Sequence, residues 1–511
     1  MDTPAADPRD LPFGTLPDLV RGHAAAEPGR IAFIVGDERI DYGAFDALMD
    51  RVAARLQAFN IAPGERIAVC AGTSIPYAAV FLGALRAGVC VAPIAPSSTP
   101  QQIAAMVADS GGQVFFSDGP VLATLADETI AVPVVRLDRP DEFEAWLGDA
   151  RFAPVEIAPT TPFNIIYSSG TTGTPKGIVH SHAMRWGHIA AGAKLDYGPR
   201  SVTLLSTPLY SNTTMASFLP AVGGGSTIVL MPKFDALEYL RLAERVRMTH
   251  TMLVPVQYRR VMALPEFDSF DLSSTVMKFA TSAPFPAVLK ADVLARWPGG
   301  LVEYFGMTEG GGTCVLVAHN FPDKLHTVGR PAPGHDMRVL GDDGTELPPG
   351  EVGEIVGHSA ATMLGYHGQP GKTREAQWVA PDGRVFMRTG DVGRFDEDGF
   401  LTLMDRKKDM IISGGFNIYP SDLEAVLAEH PDVVEAAVVG VPSDTWGETP
   451  VAFVALRGGD GAAVREWVNA RLGKTQRLSA IEVVDALPRS AIGKVLKREL
   501  RDGWHATTNG S

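Results

Sequence analysis

Apolar positions along the first third of the chain follow two alternating patterns. The stretch YGAFDALMDRVAARLQAF, residues 42–59, spaces its apolar side chains three and four apart and predicts an amphipathic helix. Between such segments lie short apolar runs, RIAVCA, VCVAPIA and GGQVFFS, bounded by turn residues, which predict strands buried on both faces. Their alternation from residue 12 to about 160 predicts α/β layers with largely parallel strands. The same texture returns over 200–310, with SVTLLSTP, STIVLMP and LVEYFG as strands.

Between about 328 and 404 the pattern changes to short alternating runs separated by Gly, Pro and turn dipeptides such as Asp343-Gly344 and Asp398-Gly399. This predicts a small β-rich subdomain built from hairpins. From about 406 helix and strand alternate again, in PSDLEAVLAEH, VVEAAVVGVP, PVAFVALR, AAVREWVNARL and IEVVDALP.

Composition narrows the function classes. A chain of 511 residues predicts two or three units, and 45% hydrophobic with 20% charged residues is a globular composition. The net charge of −14 opposes a broad surface for nucleic acid or anionic lipid, so a polyanionic ligand needs a local site. Three cysteines without CxxC spacing support neither a disulfide framework nor a zinc site and point to a reducing compartment. The N-terminal residues lack a secretory pattern and no apolar run is long enough to span a membrane, so a cytoplasmic protein is expected.

Four stretches carry candidate chemistry. SSGTTGTPKG, 168–177, follows the strand candidate FNIIY and gathers hydroxyls and glycines around Lys176, as a loop whose N–H groups approach phosphate oxygens does. It lacks the GK[ST] ending of the common phosphate loop. EYFGMTEGGG, 303–312, offers an aromatic for a planar base and Glu309 as a carboxylate for Mg²⁺. MRTGDVGRF with MDRKKDMIISGGFNIYP supplies Asp391 for a ribose diol, a basic cluster from Arg406 to Lys408, and Gly414-Gly415 for close backbone approach. In LPRSAIGKVLKREL, Lys494 sits on a loop before an amphipathic helix, whereas Lys497 and Arg498 read as ordinary surface charges. Each stretch alone also fits a surface turn or a salt-bridged hairpin.

Taken in order and spacing, YSSGTTGTPKG, YFGMTE, TGD, DRKKDMIISGGFNIYP and LPRSAIGK resemble the AMP-forming adenylating superfamily of acyl-CoA synthetases, coumarate-CoA ligases, luciferases and peptide-synthetase adenylation domains. The resemblance runs from about 15 to 500 and points to the acyl-CoA ligase branch. It implies an α/β fold with a large N-terminal domain, 1–404, of two α/β-layered subdomains plus a small β-barrel-like subdomain. A smaller, mobile α+β domain, 405–511, is implied to turn about Asp405. It further implies that ATP and a carboxylic acid form an acyl-adenylate and pyrophosphate, after which the thiol of CoA displaces AMP.

Residue by residue, the resemblance assigns Ser168, Ser169, Thr171, Thr172 and Lys176 to the β and γ phosphates, Thr308 to the α-phosphate and Glu309 to Mg²⁺. Phe305 stands where the base-stacking aromatic does, beside Gly306 and Met307. Ser282, Ala283 and Pro284 of TSAP match the loop beside the adenine, and Asp391 and Arg406 match the ribose contacts. Lys494 matches the lysine that stabilises the transition state, and Gly414 and Gly415 lie in the segment presented to pantetheine.

For the acyl pocket the resemblance implies Tyr210, Ser211, Asn212, Thr214 and Gly311. Ser211 stands where many members have His, and Thr214 where they have Gly. None of these positions carries a charge, which favours a monocarboxylate with an uncharged tail: aryl, arylpropenoic or medium-chain fatty acid, with Asn212 or Thr214 bonding a ring substituent. The partners implied are a small-molecule acid, ATP and CoA, with no nucleic acid and no membrane span, in a monomer or homodimer. A stand-alone enzyme loading a carrier-protein thiol in trans is the alternative, and a catalytically silent nucleotide-binding module is the alternative of another class.

Overall fold

The computed structural model describes residues 7–168, 176–413, 416–443, 445–473, 476–490 and 494–508. The fold is mixed α/β with a large N-terminal domain and a smaller C-terminal one, and the chain forms two compact units. The first comprises Met1–His326, Ala332–Asp336 and His358–Met387; the second comprises Thr327–Pro331, Met337–Gly357 and Arg388–Ser511.

The first unit carries two sheets. One runs in the order Gly365–Tyr366, Lys176–Ser181, Pro162–Ser168, Cys90–Pro93, Arg66–Cys70, Phe115–Ser117, Val134–Arg136. Its middle strands are parallel, while Pro162–Ser168 and Lys176–Ser181 form an antiparallel hairpin. The other contains, in order, Thr313–Val317, Gly300–Gly306, Met277–Ala280, His250–Leu253, Val202–Leu205, Thr227–Leu230, Ile31–Val35 and Glu38–Asp41. The apolar runs therefore form strands where the pattern predicts them, and YGAFDALMDRVAARLQAF is the helix Tyr42–Ala58.

The helix Ile75–Arg86 is buried along its whole length, which explains why its sequence, IPYAAVFLGALR, shows no polar face. Gly83 lets it lie against Tyr42–Ala58: a Cβ there would meet the Val52 Cβ at 2.7 Å and the Met49 carbonyl oxygen at 3.0 Å. A single core cluster, including Val69, Phe81, Phe163, Phe218 and Val302, draws on strands of both sheets and the helices covering them.

In the second unit, residues 391–395 pair antiparallel with 401–406 around the expected Asp398-Gly399 turn. The C-terminal sheet has the order Phe416–Ile418, Ile411–Ser413, Gly447–Leu456, Val433–Ser443, and Ala480–Val483 joins Gly447–Leu456 in parallel. Alternation decides its two faces. Val438, Ala452 and Val454 pack with Leu423 and Leu427 of the helix Pro420–Ala428 and Val464 and Val468 of Gly461–Asn469. Ala437, Val439, Val441, Val451 and Phe453 pack on the other face with Leu487 and Leu500. All three cysteines are buried and free, and no helix among the described residues is long and apolar enough to cross a membrane.

Candidate active site

In the first unit the strand Pro162–Ser168 and its antiparallel partner bring Lys176 opposite Ser168 at the end of the hairpin where the two strands are connected. Ser169, Thr171 and Thr172 lie outside the described residues, as does the Ser168 side chain. The Lys176 Nζ stands 5.0 Å from the centre of the Tyr366 ring, and the Tyr366 hydroxyl donates to Glu309 Oε1 at 2.8 Å. Burial, followed by the charge of Glu309, pushes the Tyr366 phenol above its ordinary value, so it stays protonated and a donor.

The turn carrying Glu309 is pinned from behind. Its carbonyl accepts the Met363 N–H at 2.9 Å, and the Gly311 N–H donates to the Ala361 carbonyl at 2.9 Å. Gly310 adopts a positive φ of 76°, and a Cβ there would stand 2.1 Å from the Ala361 oxygen. The glycines of EGGG thus let this loop approach the 361–363 segment and hold the carboxylate outward. Lys176 and Glu309 are expected from sequence; the Tyr366 that links them is not, because nothing local to GYHGQP marks it.

A buried polar network runs behind these residues. The guanidinium of Arg185, on the helix His182–Ala191, donates from Nε to Asn164 Oδ1 at 3.0 Å, and from Nη2 to His180 Nδ1 and Asn212 Oδ1, each at 2.9 Å. His180 Nε2–H donates to the Thr308 carbonyl at 2.7 Å, which leaves Nδ1 as the acceptor and makes the ring neutral. Burial and then the neighbouring Arg185 charge hold His180 well below the usual histidine range, and burial lowers Arg185 to about 9. The network ties Thr308, the expected α-phosphate contact, to Asn212 in the expected acyl pocket. The candidate pocket positions themselves carry no charge, as expected, but Arg185, remote from them in the sequence, touches Asn212.

The other pocket candidates sort by what their polar atoms already do. Thr214 is fully buried, and its hydroxyl is engaged with the Pro208 carbonyl at 2.6 Å and Thr207 Oγ1 at 2.8 Å. Ser211 caps the helix Asn212–Gly224 by accepting the Thr213 N–H at 3.2 Å. Thr213 shares a hydrogen bond with Ser282, which holds a left-handed φ of 81°, and this fastens the TSAP loop to the pocket helix. Tyr210, Ala283, Phe305 and Met307 are half-buried, Pro284 and Gly306 are exposed, and Gly311 is buried. The strand Met277–Ala280 leading into TSAP contains Lys278, whose buried ammonium donates to the carbonyls of Trp297, Pro298 and Gly299 at 3.0, 2.6 and 2.8 Å.

In the second unit Asp391 and Arg406 are direct cross-strand partners, and their side chains form an ion pair at 3.2 Å. Thr389 Oγ1 accepts the Asp391 N–H at 3.0 Å and donates to the Ile355 carbonyl at 2.8 Å. Burial raises the Asp391 carboxyl, opposed by Arg406 and then Lys494. A cavity of about 350 Å³ lined by Thr389, Gly390, Arg406, Lys407 and Lys408 opens beside them.

Lys494 is tied back to Ser490: its N–H donates to Ser490 Oγ at 3.2 Å and its carbonyl accepts the Ser490 N–H at 2.8 Å. Burial, and then the charge of Arg406, bring its ammonium down to about 8. Lys497 is not the ordinary surface charge expected: it is mostly buried, pairs with Glu424 at 2.8 Å and stands 3.9 Å from Asp405. Asp405 in turn accepts the N–H groups of Arg406 and Ser421, each at 2.9 Å. The expected surface reading holds for Arg498, which pairs with Asp502 in solvent. Gly414 and Gly415 lie outside the described residues.

Residues 20–367 match the model of a family described as AMP-binding enzyme, and residues 422–494 match that of the AMP-binding enzyme C-terminal domain. The indoleacetate-CoA ligase of Aromatoleum aromaticum is 33% identical over 509 residues, covering 95% of this chain and 97% of that protein. The fatty acid acyl-carrier-protein ligase ScoC of Streptomyces coeruleorubidus is 31% identical over 506 residues, 96% of each. Among solved structures, the amide bond synthetase McbA of Marinactinospora thermotolerans superposes with a TM-score of 0.85 at 29% identity, over 96% of this chain and all of that one.

Proposed function

The chain belongs to the AMP-binding enzymes, in the acyl-CoA ligase branch of the AMP-forming adenylating superfamily, and from that premise we propose that it joins an aryl, arylpropenoic or medium-chain fatty monocarboxylic acid to CoA through an acyl-adenylate. The observation that supports this reading is that Tyr366 meets Lys176 with its ring and Glu309 with its hydroxyl, a cation and a carboxylate gathered around one side chain, as a polyphosphate and its metal require.

In the first step a carboxylate oxygen of the acid attacks the α-phosphorus of ATP, the bond to the β-phosphate bridging oxygen breaks, and pyrophosphate leaves. Lys176, with Thr171 and Thr172, holds the β and γ phosphates, and Thr308 holds the α-phosphate. Phe305 stacks on the adenine, and Asp391 and Arg406 bind the ribose. The Lys494 ammonium offsets negative charge gathering on the pentavalent phosphorus.

Glu309 fits Mg²⁺ as a hard oxygen donor, since Tyr366 engages only Oε1. When bound, Mg²⁺ supplies neutralisation of the phosphate charge.

In the second step the CoA thiolate attacks the acyl carbonyl carbon and AMP leaves. We assign Asp405 as the pivot about which residues 405–511 turn between steps, with Gly414 and Gly415 then facing the pantetheine. The pivot carboxylate is held by Ser421 and Lys497, contacts within the second unit that such a turn must accommodate.

A second reading concerns the acceptor. ScoC is named for an acyl-carrier-protein, so a carrier thiol is the alternative to CoA. Incubation with ATP, Mg²⁺, CoA and a panel of benzoates, cinnamates, arylacetates and fatty acids is expected to yield acyl-CoA by mass spectrometry. Pyrophosphate without acyl-CoA would move the reading to another acceptor; absence of both would leave a catalytically silent nucleotide-binding module.

A further inference from the structure

Asn212 opens the helix Asn212–Gly224 half-buried, with its Oδ1 2.9 Å from the Arg185 Nη2. A guanidinium has donors only, so the Asn212 amide must turn its oxygen toward Arg185 and its NH₂ away from it. The orientation is fixed from further back as well. Arg185 cannot relax toward a different acceptor without abandoning Asn164 or His180, and His180 is itself committed to the Thr308 carbonyl. Among the described residues no carboxylate pairs with Arg185, and none of them accepts from Asn212 Nδ2.

The neighbouring hydroxyl oxygens are each already in a hydrogen bond. The hydroxyl of Thr214 is engaged with Pro208 and Thr207, that of Ser211 caps its helix, and that of Thr213 is bonded to Ser282. Of the side chains from 211 to 214, Asn212 is the one whose donor is a fixed NH₂ group backed by a buried cation; Ser211, whose oxygen accepts the Thr213 N–H, keeps only a rotatable O–H. The buried guanidinium behind it adds a positive field that strengthens that donor. An NH₂ group closed against an all-carbon tail would lose its hydrogen bond to water and gain nothing, whereas a carbonyl oxygen on the tail restores it.

We propose that Asn212 is a specificity-determining residue that donates from Nδ2 to a neutral carbonyl oxygen in the acyl part of the acid, and that Arg185 is its positioning residue. The substrate is then an oxo-, ester- or amide-bearing monocarboxylic acid and not its all-carbon analogue. This rests on the reading of 210–214 as the acyl pocket. A second carboxylate is the poorer fit, because the Arg185 charge stands behind the amide and does not line the pocket directly.

The test is ATP-pyrophosphate exchange, which needs no thiol acceptor, on matched pairs: oxo-hexanoates and oxo-octanoates against the parent alkanoates, and benzoyl-alkanoates against phenylalkanoates. For at least one position of the oxo group, the wild-type chain is expected to favour the oxo-acid by about tenfold or more in kcat/KM. Asn212→Leu is expected to bring that ratio to about one by slowing the oxo-acid alone. Arg185→Met is expected to narrow the same ratio, which a merely structural loss, slowing both acids equally, would not do. Ratios near one for every pair in the wild type, or a ratio unchanged in Asn212→Leu, would overturn the proposal whether or not Arg185→Met folds. Oxo-acid preference in exchange without acyl-CoA would overturn the CoA reading alone; acyl-CoA formed without oxo-acid preference would overturn this proposal alone.

Discussion

Lys494→Ala is expected to lower the rate of adenylation a hundred- to a thousandfold, about 3 to 4 kcal/mol of barrier, while conversion of supplied acyl-adenylate to thioester stays within a few-fold of wild type. The reason is where charge develops. The first step concentrates negative charge on the α-phosphate oxygens; the second releases an already formed AMP. A cation matters most where charge grows in the transition state. Its surroundings also set a pH limit. Burial and the Arg406 charge hold the Lys494 ammonium near 8, and it is the protonated form that acts. Adenylation by the wild type should therefore fall as pH rises through about 8, and the fall should vanish from the residual rate of Lys494→Ala. Separate stopped-flow assays of the two half-reactions check this; an equal loss in both would contradict it.

Lys290→Met is expected to cost about 3 to 5 kcal/mol of stability, because it leaves a buried carboxylate without its counter-ion. Lys290, on the helix Ala287–Arg296, pairs with Glu303 on the strand Gly300–Gly306, and their side chains are 2% and 4% exposed. Burial pushes the Glu303 carboxyl up to about 7 from its ordinary 4.5, against the pull of Lys290. A folded carboxyl that holds its proton more tightly than the unfolded one contributes stability below the unfolded value. That contribution is lost as pH rises through the folded value. Losing Lys290 deepens the effect, so the deficit should be larger at about pH 8 than at about pH 5. Urea midpoints at the two pH values measure it, and a deficit independent of pH would contradict the account. Lys290→Met with Glu303→Leu should recover much of the loss, since a well-packed apolar pair carries no desolvation cost. The strand also carries Phe305, the residue proposed to stack on the adenine.

How much of this was legible in the sequence differs by the range of the interaction. VVEAAVVGVP reads as a strand because both of its faces are apolar, and its residues do divide between two cores. SSGTTGTPKG gathers its hydroxyls, glycines and lysine within a few positions, whereas YFGMTE and LPRSAIGK acquire a meaning only from their order and spacing along the chain. Contacts made by tertiary packing leave no such mark. Tyr366 is 57 residues from the Glu309 it bonds. Lys278, Lys290 and Lys497 have the same composition signature as solvent-facing lysines, yet all three are largely buried against carbonyls or carboxylates. Arg185 was missed for the same reason: a lone arginine in HAMRWGHI is unremarkable until the fold sets it against Asn212. The residues of the PLYSNTT stretch and the strand ends are uncharged, and the cation behind Asn212 comes from a helix outside them.

The central claim is that the acid's own oxygen attacks the α-phosphorus of ATP. The most direct measurement supplies a carboxylic acid labelled with heavy oxygen in its carboxyl group, lets the complete reaction run with CoA, and weighs the products. AMP is expected to carry one labelled oxygen and the acyl thioester carbonyl the other, with none in pyrophosphate. Label in inorganic phosphate, or AMP free of label while acyl-CoA accumulates, would mean that no acyl-adenylate lies on the path and would contradict the assignment of Thr308 and Lys494.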